Sequence, residues 1–146
     1  MELLIVYPEL PASSNRLYFR GTRLTKEART YAEKFSYYVV RQYLPQISMM
    51  NKKGVYALHL RFYMSNLVNH TFFSDKKNRA ETPYKRVDLS NRIKLLEDCV
   101  RDALSIDDCQ TFAASQSKHH VPEGQERVEI LIQEIDPTQF GVPAWT

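Results

Sequence analysis

The stretch that most constrains the fold of this chain is residues 85–110, KRVDLSNRIKLLEDCVRDALSIDDCQ. Apolar residues recur in it at spacings of three and four, namely Ile93, Leu96, Val100 and Leu104. This pattern predicts an amphipathic helix with one buried stripe. Asp88 precedes the helix and Asp107-Asp108 follow it. Because a helix of about 15 residues is about 22 Å long, these acids can meet only if the chain beyond the helix folds back toward its start, as an antiparallel strand would.

Other segments of the chain show equally clear periodicity. Thr25 is a suitable N-cap for a second helix, which we expect to end at Pro45 because the residue before a proline avoids helical backbone angles. Apolar and mixed side chains alternate over residues 55–64, which predicts a strand with one buried face. Residues 3–7 are predicted to be a short strand, and residues 111–117 and 127–135 to be two strands that form a hairpin.

The predicted order of elements is strand, helix, strand, helix, strand, strand. It indicates a small α/β (α+β) fold with two main helices packed on a mixed sheet. The 146 residues, 43% of them hydrophobic, are typical of one globular domain. We expect residues 1–135 to form that domain and residues 136–146 to be a C-terminal tail.

Positive charge is concentrated in two segments of a chain whose net charge is only +3. Residues 76–94 contain Lys76, Lys77, Arg79, Lys85, Arg86, Arg92 and Lys94. Residues 11–26 contain Arg16, Arg20, Arg23 and Lys26 and no acid before Glu27. Tyrosines and phenylalanines lie among these residues, which suits binding to a nucleic-acid backbone. Two solvated loops would have the same composition.

Several classes of protein find little support in the sequence. Cys99 and Cys109 form no CxxC pair, and the adjacent His119-His120 have no third ligand at a suitable spacing, so a zinc site is not expected. We expect the two histidines to lie in the hairpin loop. No apolar run approaches the length of a membrane span. We therefore expect a cytoplasmic protein without a membrane partner.

The clustered acids suit phosphodiester hydrolysis. Mg²⁺ typically takes one or two protein carboxylates together with water and substrate phosphate, and Asp88 with Asp107 or Asp108 could supply them. Lys94 could neutralise the phosphate as a compact charge. The structural alternative is that Asp88 is a helix-capping acid and that Asp107-Asp108 only form a turn.

The same residues resemble the RusA family of Holliday junction resolvases, small endonucleases associated with phages and prophages. The family pattern is a basic run, Asp-x-Asp-Asn-x-x-Lys, a helix, and then Asp-Asp-x-Gln. The matching positions are Lys85-Arg86, Asp88, Asn91, Lys94, Asp107, Asp108 and Gln110. The Ser14-Asn15-Arg16 loop and the helix start near Thr25 are similar as well. The resemblance covers roughly residues 3–135.

This resemblance implies a homodimer that binds a four-way DNA junction and nicks opposed strands with Mg²⁺, or with Mn²⁺ in its place. It assigns catalysis to Asp88, Asp108 and Lys94, and metal binding to Asp88, Asp108 and the neighbouring Asp107. We predict DNA contacts for Asn15, Arg16, Arg20, Lys76, Lys77, Arg79, Lys85, Arg86 and Asn91. It also implies a bacterial or phage-infected cell as the setting.

One position departs from the family pattern. Ser90 stands where the second acid of Asp-x-Asp-Asn is expected, and a hydroxyl is a weaker ligand for Mg²⁺ than a carboxylate. Two functions follow: an active junction resolvase, or a junction-binding module that cuts weakly or not at all. An enzyme acting on flaps or RNA is a third reading.

Overall fold

The structure is a computed structural model that describes residues 1–19, 23–69, 72 and 82–144. Its strands are β1 (Glu2–Tyr7), β2 (Tyr18–Phe19), β3 (Arg23–Leu24), β4 (Val55–Met64), β5 (Thr111–His120) and β6 (Arg127–Ile135). The α-helices among these residues are α1 (Lys26–Ser48) and α2 (Ser90–Leu104). The order of the main elements agrees with the prediction, and β2 and β3 form a small additional hairpin. The predicted α+β fold class is confirmed.

The four longer strands form one mixed sheet in the order β1-β6-β4-β5. β4 pairs antiparallel with β6 and parallel with β5, so the predicted hairpin of β5 and β6 is wrong. Burial explains this order, because Val128, Ile130 and Ile132 of β6 are fully buried whereas most of β5 is exposed. α2 is the long connection that a parallel pair requires, and β4, α2 and β5 form a β-α-β unit.

β5 is longer than the sequence predicted. It reaches His120, so His119 and His120 are strand residues rather than loop residues. The ring of His119 stacks on Tyr63 of the neighbouring strand, with 4.8 Å between the ring centroids. This packing across the parallel pair explains why the strand continues beyond Ser117.

α1 begins as predicted and ends later. The Thr25 hydroxyl accepts a hydrogen bond from the Ala28 N–H at 3.2 Å, as an N-cap residue does. The prediction that Pro45 ends the helix is wrong, since α1 continues to Ser48. Pro45 cannot donate the usual backbone hydrogen bond. Burial of Ile47 and Met50 beyond it favours the additional turn.

One hydrophobic core joins the two helices to the sheet. The predicted inner face of β4 is buried, and Leu58, Leu60 and Phe62 are at most 1% exposed. α2 contributes the stripe that its spacing predicted, including Leu96, Val100 and Leu104. In the part of the chain that the structure describes, no helix is long and apolar enough to cross a membrane.

The division into a domain and a tail stays a prediction. Residues 137–140 form a short 3-10 helix after β6. Phe140 meets the ring of Phe112 on β5 edge-to-face, with 6.0 Å between the centroids.

Candidate active site

Asp88 lies in the irregular segment that leads into α2, and Ser90 binds both of its carboxylate oxygens. The Ser90 N–H donates to Oδ1 at 2.9 Å, and the Ser90 hydroxyl donates to Oδ2 at 3.0 Å. These bonds, first the backbone one and then the side-chain one, lower the pKa of Asp88, and the charge of Arg92 acts in the same direction. Asp88 is therefore held ionised and oriented. Ser90 does not supply a second carboxylate; it holds the carboxylate of Asp88 through two hydrogen bonds.

Replacing Ser90 with alanine should raise the pKa of Asp88 part of the way back to its ordinary value. The hydroxyl donor is lost, while the larger contribution from the backbone N–H remains. The ionised Asp88 carboxylate stabilises the folded state above its unfolded-state pKa, and this stabilisation is lost as pH falls through the lower folded-state pKa. The two pKa values are closer together in the variant. The pH range over which the stabilisation is lost should therefore be narrower. A carbon-detected NMR titration of Asp88 measures the shift, and an unchanged pKa would contradict the role of the hydroxyl.

Lys94 follows Ser90 by one helical turn on the same exposed face of α2. Its ammonium lies over the ring of Tyr18, 4.3 Å from the centroid. This contact ties the start of α2 to β2. Lys94 is thus placed at the Asp88 end of the helix, and its role in catalysis stays a prediction.

A pocket of about 370 Å³ opens beside Asp88. Its lining residues come from three separate parts of the chain. Ser13 and Asn15 come from the first part and Asn66 from the second. The third part contributes Arg86, Val87, Asp88 and Arg92. Two predicted DNA-binding residues, Asn15 and Arg86, therefore lie beside the predicted catalytic acid. Tertiary packing creates this arrangement, because residues 13–15 are more than 70 positions away from Asp88.

The other predicted DNA-binding residues that the structure describes do not line this pocket. Arg16 forms an exposed ion pair with Glu27 at 2.9 Å. Lys85 is exposed, and Asn91 on the first turn of α2 is half-buried. The predictions for Arg20, Lys76, Lys77 and Arg79 fall outside the described residues.

The second acid cluster follows α2, where Asp107 and Gln110 form a reciprocal cap of a short 3-10 helix. The Asp107 N–H donates to Oε1 of Gln110 at 2.8 Å, and the Asp107 carboxylate accepts from the Gln110 backbone. The Gln110 amide also donates to the carbonyls of Lys52 and Gly54, at 2.8 and 3.0 Å. The Asp-Asp-x-Gln motif thus anchors this turn to the start of β4.

Replacing Gln110 with alanine should destabilise the protein by about 1–3 kcal/mol. The change removes the cap acceptor and leaves the Lys52 and Gly54 carbonyls without this donor. Urea unfolding measures the free energy. Gln139→Ala, at an exposed position in the short 3-10 helix near the C-terminus, is a surface control. Equal stability of the two variants would show that the anchor contributes nothing.

Asp108 lies in an acidic group centred on Arg101. The Arg101 guanidinium contacts Asp108 Oδ1 at 2.6 Å, Asp98 Oδ1 at 2.7 Å and Glu97 Oε2 at 3.7 Å. The Asp108 side chain is nevertheless 80% exposed, so it is accessible to solvent ions. Burial raises the pKa of Glu97 although Arg101 opposes that shift. Sequence reasoning missed Arg101, although its spacing of four and three from Glu97 and Asp98 could have indicated these pairs.

A single chain does not bring the two acid clusters together. They lie at opposite ends of α2, a 15-residue helix that is about 22 Å long. The chain does fold back, since Lys118 on β5 donates to the Val87 carbonyl at 3.4 Å. However, Asp107 and Asp108 precede β5 and stay at the far end of the helix. Among the described residues, no group of three or more His, Cys, Asp or Glu side chains is placed to hold a metal ion.

The exposed acids at the two ends of α2, and the pocket lined by Arg86 and Arg92, suit an enzyme that hydrolyses a nucleic-acid backbone. The family model described as Endodeoxyribonuclease RusA matches residues 8–133, a span that contains both acid clusters and the pocket. The chain belongs to this family of Holliday junction resolvases, and it is an endodeoxyribonuclease, a hydrolase that acts on branched DNA. The resemblance stated from the sequence motifs is thereby confirmed. No curated protein matches the chain.

Proposed function

We propose that this protein is a Mg²⁺-dependent resolvase of four-way DNA junctions whose two active sites are each completed by two copies of the chain. The separation of Asp88 from Asp108 carries this proposal. Two chains related by a two-fold axis, with their α2 helices antiparallel, would bring Asp88 of one chain beside Asp108 of the other. The symmetry then creates two equal sites, which suits the two opposed strands of a junction.

The charge on the outer side of α2 favours such an antiparallel pairing. Ser90, Lys94, Asp98 and Asp102 repeat every four residues along its exposed face. Lys94 and the nearby Arg86 outweigh the single acid Asp88 at the first half, whereas Asp98, Asp102 and the acids that follow the helix outweigh Arg101 in the second half. Antiparallel helices would place each basic half against the acidic half of the partner.

The donor set fits Mg²⁺ once two chains contribute to it. Carboxylate oxygens are the ligands this ion prefers, and it keeps several waters, so Asp88 and Asp108 with Asp107 nearby are sufficient. When bound, the ion would neutralise charge on the phosphoryl oxygens and lower the pKa of a bound water. Mn²⁺ is expected to replace it.

Each residue of the proposed site has its own task. Ser90 keeps Asp88 ionised and fixes its orientation. The Asp107 cap positions Asp108, whose exposed carboxylate can reach outward from the turn. Lys94 adds positive charge near the phosphate, and Asn15, Lys85, Arg86 and Asn91 hold the DNA backbone. DNA contacts are also proposed for Arg16, Arg20, Lys76, Lys77 and Arg79. The proposed setting is a bacterial or phage-infected cell.

Two observations favour a second candidate, a junction-binding module that cuts weakly or not at all. Ser90 supplies a neutral hydroxyl where the family pattern has an acid, so the site has one negative charge fewer for a cation. In addition, Arg101 already contacts one oxygen of Asp108. Both features would weaken metal binding without disturbing the basic surface.

The decisive experiment is nicking of a labelled synthetic four-way junction with Mg²⁺ and then Mn²⁺, beside a binding assay in EDTA. Paired symmetric cuts would support the resolvase. Tight binding without cuts would support the binding module, and absence of both would contradict both proposals. Flap and RNA substrates in the same panel test substrate choice, and preference for either of them over the junction would exclude a junction-selective enzyme.

A further inference from the structure

Arg92 on α2 is a buried charge among the described residues, with an exposed fraction of 8%. Buried charges in proteins are normally paired, because an unpaired one loses its hydration without compensation. The ion pairs among the described residues do not include Arg92. Its described hydrogen bond runs from Nε to the Ala12 carbonyl at 2.8 Å, which leaves its terminal amino groups as further donors.

Asp88, four residues earlier, does not neutralise this guanidinium directly. Its two oxygens accept from Ser90, and the two charges influence each other only at longer range. Arg92 also lies at a variable position of the Asp-x-Asp-Asn-x-x-Lys pattern. Its burial is therefore a property of this chain that the motif does not explain.

The pocket beside Asp88 surrounds Arg92 with further donors. Arg86 adds an exposed guanidinium, and Asn15 and Asn66 add amides. Oδ1 of Asn15 accepts from the Ser13 hydroxyl at 2.9 Å, so the Asn15 amide nitrogen is left to donate. A tetrahedral anion fits within about 370 Å³. Asp88 at the same pocket opposes the attraction of this anion, but the two guanidinium charges outweigh its single negative charge.

We propose that this pocket binds one backbone phosphate of the DNA substrate, held by the Arg92 and Arg86 guanidinium groups. Arginine suits this task because its planar donors can contact two phosphate oxygens at once. The phosphate would lie next to the carboxylate that the proposed function assigns to the metal. This inference rests on the proposed function for the source of the phosphate, but not for the presence of an anion site.

The test compares Arg92→Gln, Arg92→Lys and Arg86→Gln with the wild-type protein in junction binding, in EDTA, over 50–200 mM KCl. Loss of one phosphate contact should lower the slope of log affinity against log salt by about one, and weaken binding about tenfold. We expect this result for both glutamine variants, whereas Arg92→Lys should keep the slope and lose part of the affinity. Arg41→Gln, which removes an exposed charge on α1, is the matched control and should keep the wild-type slope.

A second measurement uses inorganic phosphate as the probe. Phosphate should raise the melting temperature of the wild-type protein above that in chloride of equal ionic strength, and this rise should be absent in Arg92→Gln. Because Arg86 is exposed, Arg86→Gln should fold even if the Arg92 variant does not, and its phosphate response should be reduced. Wild-type salt slopes in both glutamine variants, with no phosphate response in the wild type, would overturn the inference.

The two measurements separate this inference from the proposed function. If the protein neither binds nor cuts junctions, the proposed function fails, whereas a phosphate response that depends on Arg92 would still support the anion site. If junctions are cut normally and the Arg92 and Arg86 variants behave like wild type in both assays, only the phosphate pocket is refuted.

Discussion

Replacing Asp108 with asparagine is expected to lower the rate of junction nicking by at least about a thousandfold and to leave junction binding in EDTA close to wild type. The amide keeps the shape of the side chain but removes the negative charge that a divalent cation requires, and loss of one member of a catalytic set often costs this much. Glu33→Gln is the control, since Glu33 is an exposed acid on α1, outside both acid clusters. Unchanged nicking by Asp108→Asn would refute the site assignment.

Mixing two inactive variants tests whether the site is shared between chains. In a heterodimer of an Asp88→Asn chain and an Asp108→Asn chain, a shared arrangement leaves one site with both acids intact and the other with neither. Random exchange of subunits should then restore about a quarter of the wild-type sites, and their products should be single nicks rather than paired cuts. If each chain supplied both of its own acids, every site would carry one lesion and the mixture would stay inactive.

Replacing Ser90 with aspartate is expected to increase nicking at limiting Mg²⁺ by at least about tenfold. The new carboxylate would occupy the position from which the Ser90 hydroxyl now contacts Asp88 at 3.0 Å. Without metal, two like charges at this distance repel and raise the pKa of the pair. A divalent cation removes that repulsion, so the gain should come mainly as tighter metal binding.

Ser90→Asn separates charge from shape in this experiment. It matches the size of aspartate but adds no charge, and it should not increase nicking. Metal titrations of the nicking rate for both variants measure the effect. A wild-type rate equal to that of Ser90→Asp at low Mg²⁺ would show that Ser90 does not limit the enzyme, and would count against the binding-module candidate.

The local features of this protein were readable from the sequence because they depend on neighbouring residues. The Thr25 cap, the buried stripe of α2 and the alternation of β4 each follow from spacing within one element. The family motifs are likewise short and contiguous. They therefore pointed to the candidate acids, which stay a prediction, and to the enzyme class, which the family match confirmed.

Tertiary structure decided whatever depends on contacts between distant residues. β5 lies at the edge of the sheet beside β4 because most of its side chains are exposed, whereas the buried β6 lies inside the sheet. α1 extends past Pro45 because Ile47 and Met50 are buried. The pocket beside Asp88 exists only because residues 12–15 pack against the start of α2.

The distance between the acids most clearly separates what the sequence determined from what the tertiary structure decided. The sequence alone determined which acids flank α2, and it set the condition that the chain must fold back after the helix if these acids are to meet. Only the tertiary structure showed that β5 runs back to the Asp88 end of α2, whereas Asp107 and Asp108, which precede it, stay at the far end. A rigid helix keeps its ends apart, and for that reason one chain by itself cannot join the two acid clusters.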